Sequence, residues 1–109
     1  MQEATPIRIH VDGGGLEPVV HIAGEIDVAT APLVRAQLTE LLDGGARRIV
    51  LDLRAVHFVD SSGLGVLVGA LRRLQEERDG RMRVEGAQDA VRRVFEITGL
   101  GPTFGIPPG

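Results

Sequence analysis

Short runs in which apolar and polar residues alternate recur along the chain, and segments with helical spacing separate most of them. The strand patterns lie at residues 7–12, 19–24, 48–53 and 81–85, and the helical patterns lie at residues 31–43, 61–78 and 88–98. A glycine-rich break between the first two strands predicts an antiparallel hairpin, and the helices between the later strands predict right-handed parallel crossovers. The chain is therefore expected to form an α/β fold around a mixed sheet of four to five strands.

The polar residues in these strands predict how the helices pack on the sheet. A doubly wound sheet is apolar on both faces, whereas here polar residues alternate with the apolar ones in each strand pattern. These residues are Arg8, His10, Asp12, His21, Asp52, Arg81, Arg83 and Glu85. We therefore expect the helices to pack mainly on one face, with the strands in the sequential order 1-2-3-4. That order has no topological switch point, so the usual crevice for a nucleotide is missing.

The composition excludes several classes of protein. The 109 residues contain no cysteine, so disulfides, thiolate chemistry and cysteine-bound zinc are ruled out. The twelve basic residues are all dispersed arginines and there is no tryptophan or tyrosine, so no nucleic-acid partner is expected. No apolar run approaches the roughly 20 residues of a membrane span, and the N-terminal residues do not resemble a signal peptide. We expect one cytoplasmic domain, with poorly ordered or edge segments at residues 1–6 and 102–109.

The sequence FVDSSGLG places polar residues and glycines directly after an apolar strand. Asp60, Ser61 and Ser62 are all residues that cap helix N-termini. Because consecutive parallel strands end at the same edge of a sheet, the loop after the second strand should lie beside them. That loop carries Glu25 and Asp27, so the sequence predicts a cluster of carboxylates and hydroxyls at one edge.

The helix at residues 61–78 places glycines on the face that is turned away from its apolar stripe. The stripe consists of Leu64, Leu67, Val68, Leu71 and Leu74. The residues predicted to point away from it are Gly65, Val66, Gly69 and Arg73. A glycine inside a helix costs about 0.5–1 kcal/mol relative to alanine. These glycines therefore indicate that a partner, or alternatively a neighbouring loop of the same chain, approaches the helix backbone closely.

Catalytic and metal sites are less well supported by the sequence. Ser61 lacks the glycine that precedes the serine of a nucleophile elbow by two residues, and His57 is expected to face solvent rather than to act as its base. His10 and His21 are expected to face each other on the open sheet face, but a metal site would need at least one further ligand. A serine hydrolase is thus an alternative without a nameable base, and no cofactor is expected.

Three segments resemble the STAS domain of bacterial anti-sigma factor antagonists. They are IAGEIDVATAP at 22–32, RRIVLDLRAVHFVDSSGLGVLVGALRRL at 47–74 and AVRRVFEITGL at 90–100. The resemblance implies a binding protein rather than an enzyme. Its partner would be a cytoplasmic anti-sigma factor that is also a serine kinase, and binding would release a sigma factor. Phosphorylation by the kinase would switch the protein off, and a serine phosphatase would reset it.

The resemblance also implies roles for individual residues. Ser61, the first serine of DSSG, would be the phosphoacceptor, and Ser62 would serve mainly as a polar contact at the helix start. Asp60 and Ser62 would flank Ser61, and Asp27 would lie beside it in the binding surface. Together with the sheet-edge cluster and the outer face of the helix, the expected partner-binding residues are Glu25, Asp27, Asp60, Ser62, Gly63, Gly65, Val66 and Gly69. Family members commonly continue into another helix where this chain ends in FGIPPG. We expect a monomer without direct membrane contact, and the alternative function is that of a STAS accessory subunit of a lipid or anion transporter.

Overall fold

A computed structural model describes residues 7–107, and within them the predicted order of strands and helices is confirmed. The elements are β1 (Ile7–Asp12), β2 (Val19–Ile26), α1 (Ala31–Asp43), β3 (Arg48–Val59), α2 (Ser61–Arg78), β4 (Arg81–Glu85), α3 (Asp89–Ile97) and a short 3-10 helix (Pro102–Phe104). The predictions for residues 1–6 and 108–109 lie outside the described residues.

The sheet has the predicted sequential order β1-β2-β3-β4. β1 pairs antiparallel with β2, and β2–β3 and β3–β4 are parallel pairs. The hairpin register places His10 directly opposite His21, as the alternation predicted. The four strands and three helices therefore form the expected mixed α/β fold.

The helices cover one face of this sheet. The apolar strand residues are buried there, namely Ile7, Val20, Ile22, Ile49, Leu51, Leu53, Met82 and Val84. The alternating residues Arg8, His10, Asp12, Arg83 and Glu85 remain exposed on the other face. Within residues 7–107, no helix is both long and apolar enough to cross a membrane.

β3 is longer than predicted, because it continues through the segment 54–59 that the sequence placed in a loop. Its pairing with β2 shifts register twice, between His21 and Ala23 and between Gly24 and Glu25. Each shift adds a residue to β3, so its burial no longer alternates in steps of two. Because of the bulges, residues 54–59 do not show the alternating pattern of a strand. Past the bulges, β2 and β3 stay paired up to the edge that holds Ser61.

α2 packs against both the sheet and α1, so its buried surface is wider than the predicted stripe. Val66, predicted to point outward, is only 6% exposed, and that prediction is wrong. The predicted leucines Leu64, Leu67, Leu71 and Leu74 are buried as expected. The additional contact with α1 is the physical reason for the difference, because a helix that touches two neighbours buries more than one stripe.

The C-terminal segment closes the core instead of adding an edge strand. Residues 102–104 form a 3-10 helix, and the side chain of Phe104 is fully buried. Its ring meets Phe95 of α3 edge to face, with 5.3 Å between the ring centroids. Ile106 is also buried, so the segment up to residue 107 is part of the domain core rather than an appendage.

Candidate functional site

The ends of β2 and β3 bring the predicted polar residues together at one edge. Ile26 pairs with Val59, and the backbone N–H of Asp60 donates to the Ile26 carbonyl oxygen at 3.1 Å. Glu25 lies opposite Phe58 in the same ladder, so it belongs to β2 rather than to the predicted loop. We call residues 25–30 together with residues 58–62 the Ser61 edge.

Asp60 is the residue that caps α2. Its backbone is extended, and its carboxylate Oδ1 accepts the backbone N–H of Gly63 at 3.0 Å. Ser61 is the first residue of the helix and is exposed, and Ser62 is partly exposed. Of the three cap candidates, Asp60 performs the capping, so capping does not account for the two serine hydroxyls.

Asp27 shapes the loop between β2 and α1. Its Oδ1 accepts the backbone N–H groups of Ala29 and Thr30, each at 3.0 Å. The buried Thr30 hydroxyl donates to the Glu25 carbonyl oxygen at 2.7 Å and accepts the N–H of Asp27 at 2.9 Å. This network fixes the loop between β2 and α1, so Asp27 has a structural role in forming this turn.

Gly63 is close to its own chain. A Cβ atom at this position would lie 2.6 Å from both the carbonyl oxygen and the Cγ2 atom of Ile26. Gly63 is buried, so the close approach is made by β2. The contact with Ile26 is sufficient to explain the glycine at position 63. That Gly63 also contacts a partner stays a prediction.

Gly65 and Gly69 differ from Gly63. Both are exposed, and within residues 7–107 no atom lies near the position that a Cβ atom would take. They line a groove of about 250 Å³ between α1 and α2, together with Arg35, Thr39 and other residues. The alternative that a loop of the same chain packs on these glycines is therefore wrong for the described residues.

Exposed apolar side chains lie within the Ser61 edge and next to it. Val28 in the β2–α1 loop is 72% exposed, Leu33 in the first turn of α1 is 50% exposed, and Phe58 near the end of β3 is 47% exposed. Single exposed apolar residues are common on protein surfaces. Three of them beside a carboxylate and hydroxyl cluster are typical of a surface that another protein covers. In the sequence, Phe58 stands next to the polar His57 in an alternating pattern. The exposure of the Phe58 side chain follows only from the bulged pairing of β3 with β2.

The structure places His57 in β3, where it is exposed as predicted. Among the hydrogen bonds within residues 7–107, none joins His57 to Ser61.

A cluster on the open sheet face was only partly predicted. The rings of His10 and His21 stack at 5.9 Å, and His21 also bonds to Asp12 and Asp52. Arg54 Nε donates to Asp52 at 2.8 Å. No three histidine or carboxylate side chains among residues 7–107 have the arrangement of a metal site. The contact between Asp52 and His21 joins neighbouring strands and carries no local sequence signal.

The hydrogen bonds of this cluster shift the pKa values of its members. Hydrogen bonds to Asp52 and then Asp12 outweigh desolvation and raise the pKa of His21 above its usual 6.5. Bonds from His10 and His21 lower the pKa of the Asp12 carboxyl. Burial acts to raise the pKa of Asp52, but bonds from Arg54 and His21 outweigh it and hold that pKa below its usual value. These shifts favour the charged forms of His21, Asp12 and Asp52.

Comparison with protein families and known proteins adds a second line of evidence. The family model described as STAS domain matches residues 8–108. The anti-sigma-B factor antagonist of Staphylococcus aureus (strain NCTC 8325 / PS 47) is 41% identical over 90 residues, which are 83% of this chain and 82% of that protein. The family match covers the strands and helices that build the Ser61 edge.

Solved structures show the same likeness. An anti-sigma factor antagonist from Mycobacterium paratuberculosis has a TM-score of 0.82 and 31% identity, over 94% of this chain and 86% of that one. The anti-sigma factor antagonist SpoIIAA in its unphosphorylated form has a TM-score of 0.78 and 28% identity, over 88% and 84% of the two chains. The phosphorylated form of SpoIIAA, a Bacillus cell-fate determinant, has a TM-score of 0.70 and 28% identity, over 88% and 87%.

Proposed function

This chain belongs to the STAS domain family, and we propose that it works as an anti-sigma factor antagonist that phosphorylation of Ser61 switches off. The observation that carries the proposal is the exposed Ser61 at the start of α2, beside a carboxylate cluster and an open glycine face. Its relatives include anti-sigma-B factor antagonists, and SpoIIAA exists in phosphorylated and unphosphorylated forms. The proposed partner is a cytoplasmic anti-sigma factor with serine kinase activity, and a serine phosphatase would reverse the modification.

The proposed docking surface combines the Ser61 edge with the outer face of α2. Val28, Leu33 and Phe58 offer apolar area that a partner can remove from water. Gly65 and Gly69 let the partner backbone or a bulky side chain reach the groove between α1 and α2. Neither feature requires the protein to catalyse a reaction, so we propose a binding module and not an enzyme.

A phosphate on Ser61 would act on this surface by charge and bulk. It adds about −1.5 to −2 charges to the sheet edge that also carries Glu25, Asp27 and Asp60. The free N–H groups in the first turn of a helix tolerate an anion, so the modified domain stays folded. A partner that docks on the edge must then desolvate the added charge beside like charges, and its affinity falls.

We predict that Ser61→Ala retains partner binding and is no longer phosphorylated, whereas Ser61→Asp binds the partner roughly tenfold or more weakly. The aspartate supplies part of the phosphate charge at the same place. Calorimetry with the cognate anti-sigma factor measures the affinities, and mass spectrometry after incubation with that kinase and ATP maps the phosphate. Ser62→Ala is the control for the kinase assay, because it keeps Ser61 and should still be phosphorylated there. Equal binding by Ser61→Asp, or phosphate on Ser62 in Ser61→Ala, would contradict the assignment.

A second prediction concerns the glycine face. Gly69→Leu should leave the isolated domain as stable as the wild type or slightly more stable, because the position is open and leucine favours helices. The same variant should bind the anti-sigma factor at least about tenfold more weakly, because its side chain occupies space that the partner needs. Gln75→Leu, an exposed position on another face of α2, is the control. Unchanged affinity of a folded Gly69→Leu would remove α2 from the proposed surface.

A further inference from the structure

His21 joins three strands through both nitrogens of its ring. Nδ1 lies 2.7 Å from Asp52 Oδ2 on β3, and Nε2 lies 2.9 Å from Asp12 Oδ2 on β1. An ionised carboxylate only accepts hydrogen bonds, whereas a neutral imidazole donates from only one nitrogen. Both contacts can be hydrogen bonds at the same time only when the ring is protonated on both nitrogens.

The surrounding groups favour this charged form. From β1, Asp12 and the stacked His10 face the ring, and Arg8 lines the same hollow of the open sheet face. From β3, Asp52 faces the ring together with Arg54, which binds Asp52. The two carboxylates outweigh the cations at the ring, because each of them contacts it directly. Water also reaches the ring, since the His21 side chain is 37% exposed at a shallow hollow of about 590 Å³.

We propose that His21 is a proton-dependent latch that holds the edge strand β1 to β2 and β3. When the ring loses a proton, we expect the loss at Nε2, because its partner Asp12 is 62% exposed and Asp52 only 11%. The lone pair of Nε2 then faces a carboxylate. Asp12 keeps its contact with His10 on its own strand, so the bond that is lost is the one that crosses from β1 to β2.

The expected pH dependence has a definite sign. In the folded chain the pKa of His21 lies above 6.5, its usual value, which also applies to the unfolded chain. The latch therefore stabilises the fold fully at a pH below 6.5. The stabilisation is lost as the pH rises through the raised pKa. The chain has three histidines and no cysteine, lysine or tyrosine. Histidines and the α-amino group are therefore the only groups that ordinarily titrate between about pH 6 and pH 9, so the measurement has few competing signals.

The test is an NMR titration of the His21 ring nitrogens in the folded chain and in the urea-unfolded chain. We expect a higher midpoint in the folded chain, with both nitrogens protonated below it. Amide exchange of β1, corrected for its intrinsic pH dependence, should accelerate above that midpoint. A folded midpoint equal to or below the unfolded one, or β1 protection that does not change through it, would overturn the proposal.

The variant Asp12→Asn separates the latch from a general charge effect. An amide can donate to a neutral ring nitrogen, so this variant should shift the folded His21 midpoint downward and reduce the pH dependence of β1 exchange. Asp12 is largely exposed, so the variant is expected to fold. Asp89→Asn changes the net charge equally at an ion pair with Arg92 and should leave the His21 midpoint where it is. Equal midpoints in Asp12→Asn and the wild type would contradict the latch.

Discussion

Gly63→Ala is expected to destabilise the domain by about 2–3 kcal/mol, although alanine is the better helix former. The added Cβ would lie 2.6 Å from the carbonyl oxygen of Ile26, which is backbone and cannot rotate away. That oxygen also accepts the N–H of Asp60, so moving it disturbs the junction between β2 and the start of α2. Urea denaturation of the purified domain measures the change in the free energy of unfolding.

Gly65→Ala is the matched control for this prediction. It lies two residues further along the same helix in open space, so it should stabilise the domain by about 0.5–1 kcal/mol. The opposite signs distinguish a steric requirement at one position from a general effect of glycine in α2. Similar changes in both variants would show that Ile26 moves aside easily, and that the first turn of α2 is less tightly tied to β2 than we infer.

Phe104→Ala is expected to lower the free energy of unfolding by about 3–5 kcal/mol. The ring is fully buried and packs edge to face on Phe95, so its removal leaves a cavity between the C-terminal segment and α3. For a domain whose total stability is about 5–15 kcal/mol, the loss is a large share. Thermal and urea denaturation, each followed by circular dichroism, measure it.

The neighbouring substitution Thr103→Ala tests whether the effect belongs to the buried ring. Thr103 is exposed in the same 3-10 helix, so its replacement should change the free energy of unfolding by no more than about 0.5 kcal/mol. A Phe104→Ala variant as stable as Thr103→Ala would mean that the C-terminal segment contributes little to the core. The prediction of a peripheral segment at residues 102–107 would then describe the protein better than the packed arrangement.

Local patterns were sufficient for much of the fold. The bounds of β1, α1 and β4 follow from periodicity and breaking residues, because a strand or helix that lies on one core repeats its apolar residues at the spacing of its own geometry. The placement of Glu25, Asp27 and Ser61 at one edge of the sheet also followed from the sequence. It rests on a topological rule for parallel strands, which needs only the order of the elements.

The sequence also contained the contrast between the core stripe of α2 and the glycines outside it. Gly65 and Gly69 stand at helical spacing, opposite the leucines, and their cost in helix propensity was visible before any contact was known. The structure confirms that both positions are open within the described residues. Their role in partner binding stays a prediction.

Tertiary packing decided the features that depend on which elements touch. Val66 is buried because α2 meets α1 as well as the sheet, and Gly63 is required because β2 passes beside it. The sequence did not predict the last part of β3, residues 54–59, because its two bulges break the alternation of side chains. Phe104 and the contacts of His21 join residues distant in sequence. Periodicity reports the environment of one element, whereas these features arise where separate elements meet, and no local pattern encodes that meeting.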